Sequence, residues 1–237
     1  ISIVDKDVLP GLNAKLFEYQ SIGFNWLSFM KRNNCGCILA DEMGLGKTLQ
    51  IITLMGDEFE RNKDVHFLII APMSLLENWR REIAKFYPSL LTIVHHGSNR
   101  TGLYFDLLKY NVVITAYTSV RRDLSMLNMI EWDAVILDEA QNIKTPSAER
   151  TRTVKMLKRK MGIAVTGTPF ENHMTDIWSI VDFVFPGYLG DLNSFNNSYF
   201  DSYESAEKLE QMITPIMIRR LVKDVAKDLP ERIDIPQ

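Results

Sequence analysis

The chain has 237 residues, enough to bury a substantial core and long for one domain, although α/β domains reach this size. Its composition is ordinary for a soluble globular protein, and a net charge of −3 does not announce a nucleic-acid binder, although a local basic face can do that work in an acidic protein. No apolar run approaches the length of a membrane span and no signal-peptide pattern opens the chain, so no membrane partner is expected. The chain begins at Ile1 rather than Met, as expected of a piece excised from a longer protein. Its cysteines, Cys35 and Cys37, are too few for a zinc site and read as reduced thiols, hence an intracellular protein.

Lys15 to Arg32 places Leu16, Tyr19, Phe24, Leu27 and Met30 at amphipathic spacing and predicts a helix. Gln20 sits on it, with an amide able to donate to and accept from a purine edge; a plain surface glutamine is the alternative. Cys37-Ile38-Leu39-Ala40 reads as a buried strand. Asp41-Glu42-Met43-Gly44-Leu45-Gly46-Lys47-Thr48 follows, and Leu49 to Met55 resumes apolar positions at helical spacing. Strand, glycine loop and helix form the setting of a phosphate-binding loop. Gly44 and Gly46 let backbone N–H groups approach a polyphosphate, and the helix opening near Lys47 adds unpaired donors and a positive dipole end. Lys47 supplies a point charge between the β- and γ-phosphates, and Thr48 a hydroxyl for Mg²⁺. The full pattern asks for glycine at position 41, where this chain has Asp41. On this motif alone, a glycine-rich turn with a chance Gly-Lys-Thr stays open.

Further along, His66 to Ala71 is a strand stopped by Pro72, and Ser74, with Glu77 at capping-box spacing, opens a helix. Leu91 to Val94 is a strand leading to His95 and His96. Paired histidines invite a metal, but neighbours on a strand point to opposite faces and no Cys or acid lies close in sequence. Asn111 to Tyr117 reads as a strand and Thr118 to Met129 as a helix.

Ala134-Val135-Ile136-Leu137-Asp138-Glu139-Ala140-Gln141 decides what the glycine loop left open. Four apolar residues and then two acids read as a buried strand ending at a solvent-facing edge. In open parallel sheets ligands collect beyond the strands' carboxyl ends, where the glycine loop also lies. Asp138 can then hold Mg²⁺, and Glu139 can orient and deprotonate an attacking water. The expected chemistry is ATP hydrolysis.

Ser147 to Met161 predicts a helix rich in Arg150, Arg152, Lys155, Lys158, Arg159 and Lys160, which as a charge run alone reads as a solvated face. Ile163 to Val165 is one more strand, ending at Thr166-Gly167-Thr168-Pro169, after which strands are expected to stop. Helices follow from Thr175 to Phe185 and from about Tyr203 to Val225, closing at Asp228-Leu229-Pro230. The alternation of strands and helices argues an α/β fold, a parallel sheet covered on both faces, with a helical tail.

With these segments in order, the chain resembles the first motor lobe of the Swi/Snf-type ATPases, a branch of helicase superfamily two, from about Leu16 to Pro230. The resemblance implies a RecA-like lobe over residues 1–185 and a helical protrusion and exit over 186–237. Asp41 to Thr48 matches the family's own phosphate loop, and Gln20 falls where its adenine-reading glutamine sits. The Arg and Pro that usually precede that motif's Tyr are Phe17 and Glu18 here, which weakens the adenine contact. Ala71 to Trp79 resembles a DNA-facing motif, with Ser74 in it and Trp79 distinguishing this branch from ordinary RNA helicases. Thr115-Ala116-Tyr117 resembles the next DNA-facing motif. Asp138 to Gln141, followed by Asn142-Ile143-Lys144, resembles the bacterial variant of the acidic box. Thr166-Gly167-Thr168 resembles the motif that couples nucleotide state to lobe movement, and Gln141 is assigned to the same coupling. Ile218-Arg219-Arg220 onwards resembles the lobe's exit.

The resemblance implies ATP and Mg²⁺ as cofactors, translocation along double-stranded DNA, a second RecA-like lobe of the same parent chain, and a DNA-bound protein as cargo. In a bacterial cell it implies a cytoplasmic, nucleoid-associated protein. Ser74, Thr115 and Lys144 are the DNA-contact candidates, through phosphates that fix register without reading sequence. The family's catalytic arginines belong to the second lobe, which lies outside this chain, so an isolated lobe is expected to hydrolyse ATP very slowly. Two other readings stand beside this one: an RNA helicase or restriction-type motor with a similar lobe, and a nucleotide-gated interaction module in which hydrolysis is incidental.

Overall fold

The computed structural model describes residues 9–168, 174–199 and 203–225; Pro169 and the expected closing residues Asp228, Leu229 and Pro230 lie outside them. Among the described residues the strands are β1 (Cys37–Leu39), β2 (Phe67–Ala71), β3 (Thr92–Val94), β4 (Val112–Ala116), β5 (Ala134–Asp138), β6 (Gly162–Val165) and β7 (Met217–Ile218). They form one sheet in the order β3-β4-β2-β5-β6-β1-β7, parallel at every pairing. The helices are α1 (Glu18–Arg32), α2 (Lys47–Arg61), α3 (Leu76–Phe86), α4 (Tyr104–Leu107), α5 (Tyr117–Leu127), α6 (Glu149–Lys155), α7 (Met174–Val184), α8 (Leu192–Ser198), α9 (Tyr203–Ile213) and α10 (Val222–Val225).

β2 and β4 are buried along every residue, which is why Phe67-Leu68-Ile69-Ile70-Ala71 and Val112-Val113-Ile114-Thr115-Ala116 run apolar rather than alternating. Helices α1, α2 and α3 pack in one group, and α5, α6 and α7 in another. Strands β1, β2, β4 and β6 are buried along every residue, so the middle of the sheet has no wet face. Every strand runs the same way, so all the loops that follow them emerge at one rim. Register then fixes who meets there. Val165 of β6 pairs with Leu39 of β1 on one side and with Asp138 of β5 on the other. The glycine loop after β1, the acid pair closing β5 and the Thr166–Thr168 turn after β6 therefore leave the sheet level with one another.

Three element boundaries differ from the sequence expectation. The basic helix ends at Lys155 instead of running to Met161. Residues 158–160 are extended because their backbone pairs with Trp132: Trp132 N–H donates to Lys158 O and Lys160 N–H to Trp132 O at 2.9 Å. Tertiary pairing outweighs helix propensity here. Ser74 does not cap α3; it lies exposed in a 3-10 turn opened by Pro72, and Glu77 pairs with Arg80 at 2.9 Å instead of reaching back. Strands also do not stop at β6. The stretch expected as one helix from Tyr203 to Val225 breaks after Ile213, and β7 pairs with the edge of β1.

Candidate nucleotide site and the rim around it

The cradle starts with backbone shape. Gly44 and Gly46 have φ of 87° and 73°, the left-handed region that only glycine enters freely. A Cβ on Gly44 would meet nothing within 4 Å, whereas one on Gly46 would lie 2.4 Å from Gln20 Nε2. The loop is thus open on one side and sealed by Gln20 on the other. Gln20 is buried, donates to Leu45 O at 3.3 Å and accepts from Phe17 N–H at 3.1 Å. It therefore fastens the loop from behind. α2 begins at Lys47 with no side-chain cap and no acidic residue in its first turn, which leaves its positive end facing the loop. Thr48 is partly exposed on that turn.

Lys47 Nζ donates to Asp41 O at 2.8 Å and Glu42 O at 3.3 Å. Burial pulls its ammonium below its usual value, against the carboxylates of Asp41, Glu139, Asp138 and Glu42, which push it back up. One cation thus feels both the loop and the acid pair. A Cβ on Gly167 would stand 3.8 Å from Lys47 Nζ, so the turn after β6 also reaches the same point.

Asp138 accepts from the Trp79 indole N–H at 2.8 Å and from Glu139 N–H at 3.0 Å. Burial raises its carboxyl above the usual range, Glu139 adds to the rise, and the two hydrogen bonds and Lys47 oppose it. The Tyr117 hydroxyl donates to Asp138 O at 2.8 Å. Glu139 has φ 48° and ψ 57°, a conformation costly for a non-glycine residue. Asn142 donates to its carbonyl at 2.9 Å, and Gln141 Nε2 to its carboxylate at 2.8 Å. From there Thr166 Oγ1 donates to Gln141 Oε1 at 2.9 Å, and Thr168 N–H donates to Thr166 Oγ1 at 3.1 Å. A continuous hydrogen-bonded path joins the second acid to the turn after β6.

Among the described residues no group of three His, Cys, Asp or Glu could hold a metal ion. The donors present still suit Mg²⁺, which keeps several waters and takes one or two protein oxygens plus phosphate. Asp138 and Thr48 are such oxygens. His95 is buried with Nε2 3.1 Å from Asp123 Oδ2, and His96 Nδ1 lies 2.9 Å from Ser119 Oγ.

Several candidates move. The Asp41 side chain is fully buried and turned from the cradle: Arg220 Nε donates to it at 2.9 Å and Gln50 Nε2 at 3.1 Å. Glu42 spends its N–H on Arg220 O and accepts from Val222 N–H at 2.6 Å through its carboxylate. Leu45 packs with Tyr19 and Val225. The loop N–H groups not turned to the exit segment therefore start at Met43, with Leu45 N–H donating to Glu42 O at 3.4 Å. Thr115 is fully buried, its hydroxyl donating to His95 O at 2.9 Å, which corrects its assignment to DNA contact. Trp79, 1% exposed, donates to Asp138. Ser74 is exposed and Lys144 half-buried. Of the basic run, Lys155 pairs with Asp182, Lys160 with Asp133, and Arg159 donates to Leu157 O.

Sequence reasoning missed a cleft of about 660 Å³ at the same rim, lined by Tyr117, Thr118, Arg121, Arg122, Glu149 and Arg150. It also missed Arg220 and Gln50, whose contacts span the chain; the adjacent arginines at the exit were the only available signal.

The family model of the SNF2-related domain matches residues 19–235. A Bacillus subtilis (strain 168) protein named "Putative ATP-dependent helicase/translocase YwqA" is 40% identical, covering 98% of this chain and 27% of its own length. The Saccharomyces cerevisiae ISWI chromatin-remodeling complex ATPase ISW2 is 34% identical, covering 94% of this chain and 21% of its own. The Sulfolobus solfataricus SWI2/SNF2 ATPase core in complex with dsDNA superposes with a TM-score of 0.86 at 40% identity, over 93% of this chain and 48% of that one. The chain thus spans a minor part of each curated relative.

Proposed function

The chain belongs to the SNF2-related family, and we propose that it is the ATP-binding lobe of a motor that tracks double-stranded DNA, with hydrolysis completed by a second RecA-like lobe of the same parent chain. The observation that carries this is the convergence on Lys47: its ammonium rests on the Asp41 and Glu42 carbonyls of the glycine loop, feels the charge of the Asp138 and Glu139 carboxylates, and faces the Gly167 turn, with the sheet register setting the three level. The N–H groups from Met43 to Thr48 cradle the polyphosphate, and Lys47, held beside the loop by the Asp41 and Glu42 carbonyls, pairs with it. Thr48 and Asp138 would hold Mg²⁺, which would supply positive charge against the charge developing on the phosphate. Glu139 orients and deprotonates the attacking water, in a backbone conformation and hydrogen-bond setting already fixed. Gln141, Thr166, Gly167 and Thr168 carry the change at the phosphate to the rest of the motor. Gln20 stands at the adenine end of the loop.

The duplex partner draws support from the name of the Sulfolobus core and from the cleft on the nucleotide rim, where Arg122 and Arg150 stand beside the Arg121–Glu149 ion pair. Ser74 and Lys144 extend that surface towards the phosphate backbone. Residues 1–185 then form the lobe and 186–237 its protrusion and exit, in an intracellular protein that in a bacterium works at the nucleoid; a DNA-bound protein is its cargo.

Binding of a fluorescent ATP analogue with Mg²⁺ tests the site. The wild type and Glu139→Gln are expected to bind alike, and Lys47→Ala to lose binding. Equal affinity in Lys47→Ala would overturn the assignment.

A further inference from the structure

Between Met217 and Val225 the chain leaves the lobe by running along the phosphate loop and bonding to it step by step. Ala40 N–H donates to Ile218 O at 2.8 Å, and Glu42 N–H donates to Arg220 O at 2.9 Å. Arg220 N–H donates to Asp41 Oδ1 at 3.1 Å, and Val222 N–H to Glu42 Oε2 at 2.6 Å. Val225 closes the run by packing on Leu45. At its centre, the Arg220 guanidinium gathers three elements of the nucleotide site. It forms an ion pair with both oxygens of the buried Asp41 carboxylate, donates to Tyr19 O on α1, and donates to Gln50 Oε1 on α2 at 2.7 Å. It also lies over the Tyr19 ring, 5.4 Å from the centroid. Gly23 leaves the space for this: a Cβ there would stand 1.9 Å from Gln50 Oε1 and 2.6 Å from Arg220 Nη2.

The residues held this way are the ones that hold Lys47. Its ammonium rests on the carbonyls of Asp41 and Glu42, whose side chain and N–H respectively are tied to the exit. We propose that residues 217–225 act as a strap on the phosphate loop, with Arg220 as the positioning residue, so that nucleotide occupancy and the course of the chain leaving the lobe bias each other. The proposal rests on the nucleotide assignment above and adds its regulation. Coupling of this kind is reciprocal: what loosens the strap weakens nucleotide binding, and nucleotide tightens the strap.

The test uses the full protein that carries this chain. Arg220→Lys keeps the charge and loses the fork that spans Asp41, Gln50 and Tyr19. Gly23→Ala alters no strap residue and improves helix propensity, yet displaces Gln50 and Arg220. Both are expected to fold, melting below wild type because a buried ion pair is disturbed, and to bind a fluorescent ATP analogue with Mg²⁺ on the order of tenfold more weakly. In the wild type, nucleotide should slow amide exchange over 217–225, and in the two variants that slowing should shrink while protection of α2 persists. Variants with wild-type affinity and wild-type exchange responses would overturn the strap. Should both variants fail to fold, the wild-type exchange decides: slowing at 217–225 supports the proposal and its absence defeats it. A wild type that takes up no nucleotide, like its Lys47→Ala control, would fail the underlying assignment instead.

Discussion

Asp138 holds its carboxylate where charge is disfavoured, and the Trp79 indole from a distant part of the chain joins the neighbouring Glu139 N–H in keeping it there. Trp79 lies 59 positions upstream and reaches it only because β2 and β5 are neighbours. Burial raises the carboxyl, so the folded protein binds that proton more tightly than the unfolded chain. Its contribution to stability is therefore present at low pH and is lost as pH rises through the raised value. At neutral pH without metal, Asp138 costs stability, a common feature of functional carboxylates. Asp138→Asn keeps an acceptor for Trp79 but turns its NH2 towards the Glu139 N–H, so relief of the buried charge and loss of that hydrogen bond are expected to offset to within about 1 kcal/mol in the metal-free protein while turnover is abolished. Thermal melting at neutral pH, with chelator present, checks this; an Asn variant less stable by more than about 2 kcal/mol would contradict it. The order of the motifs made Asp138 and Glu139 legible in the sequence. The Asp41 partner was not, because its arginine stands 179 positions away and no local pattern pairs them.

At the level of elements, apolar runs bounded by Gly, Pro or acids located the six strands of the main body, and loop chemistry located α2. Errors arose where a backbone partner from elsewhere set the conformation. Lys158 to Lys160 looked helical and lies along Trp132, and Met217-Ile218 looked helical and pairs with β1. Close backbone approach is equally invisible beforehand. Gly36, just before β1, leaves space that a Cβ would fill 1.7 Å from Val184 O. That carbonyl is backbone at the end of α7 and cannot rotate aside. Gly36→Ala is expected to cost about 3 kcal/mol through overpacking, with the loss reported by urea unfolding. A change below roughly 0.5 kcal/mol, the usual range of surface substitutions, would show that β1 and α7 can separate freely.

For the molecule as a whole, an all-parallel sheet puts phosphate loop, acid pair, coupling turn and cationic cleft on one rim, and the exit returns to that rim rather than hanging from the far side. The chain spans 27% of its Bacillus relative, and on the function proposed above the arginines that stabilise charge on the transferred phosphoryl group come from a second lobe. Such groups contribute on the order of 10³-fold or more to turnover. The most direct measurement is multiple-turnover phosphate release by the full parent protein, with and without duplex DNA, beside its Glu139→Gln variant. Release that rises with duplex and vanishes in Glu139→Gln is the predicted result. Release that ignores duplex, or continues unchanged in Glu139→Gln, would contradict a DNA-tracking motor driven from this site.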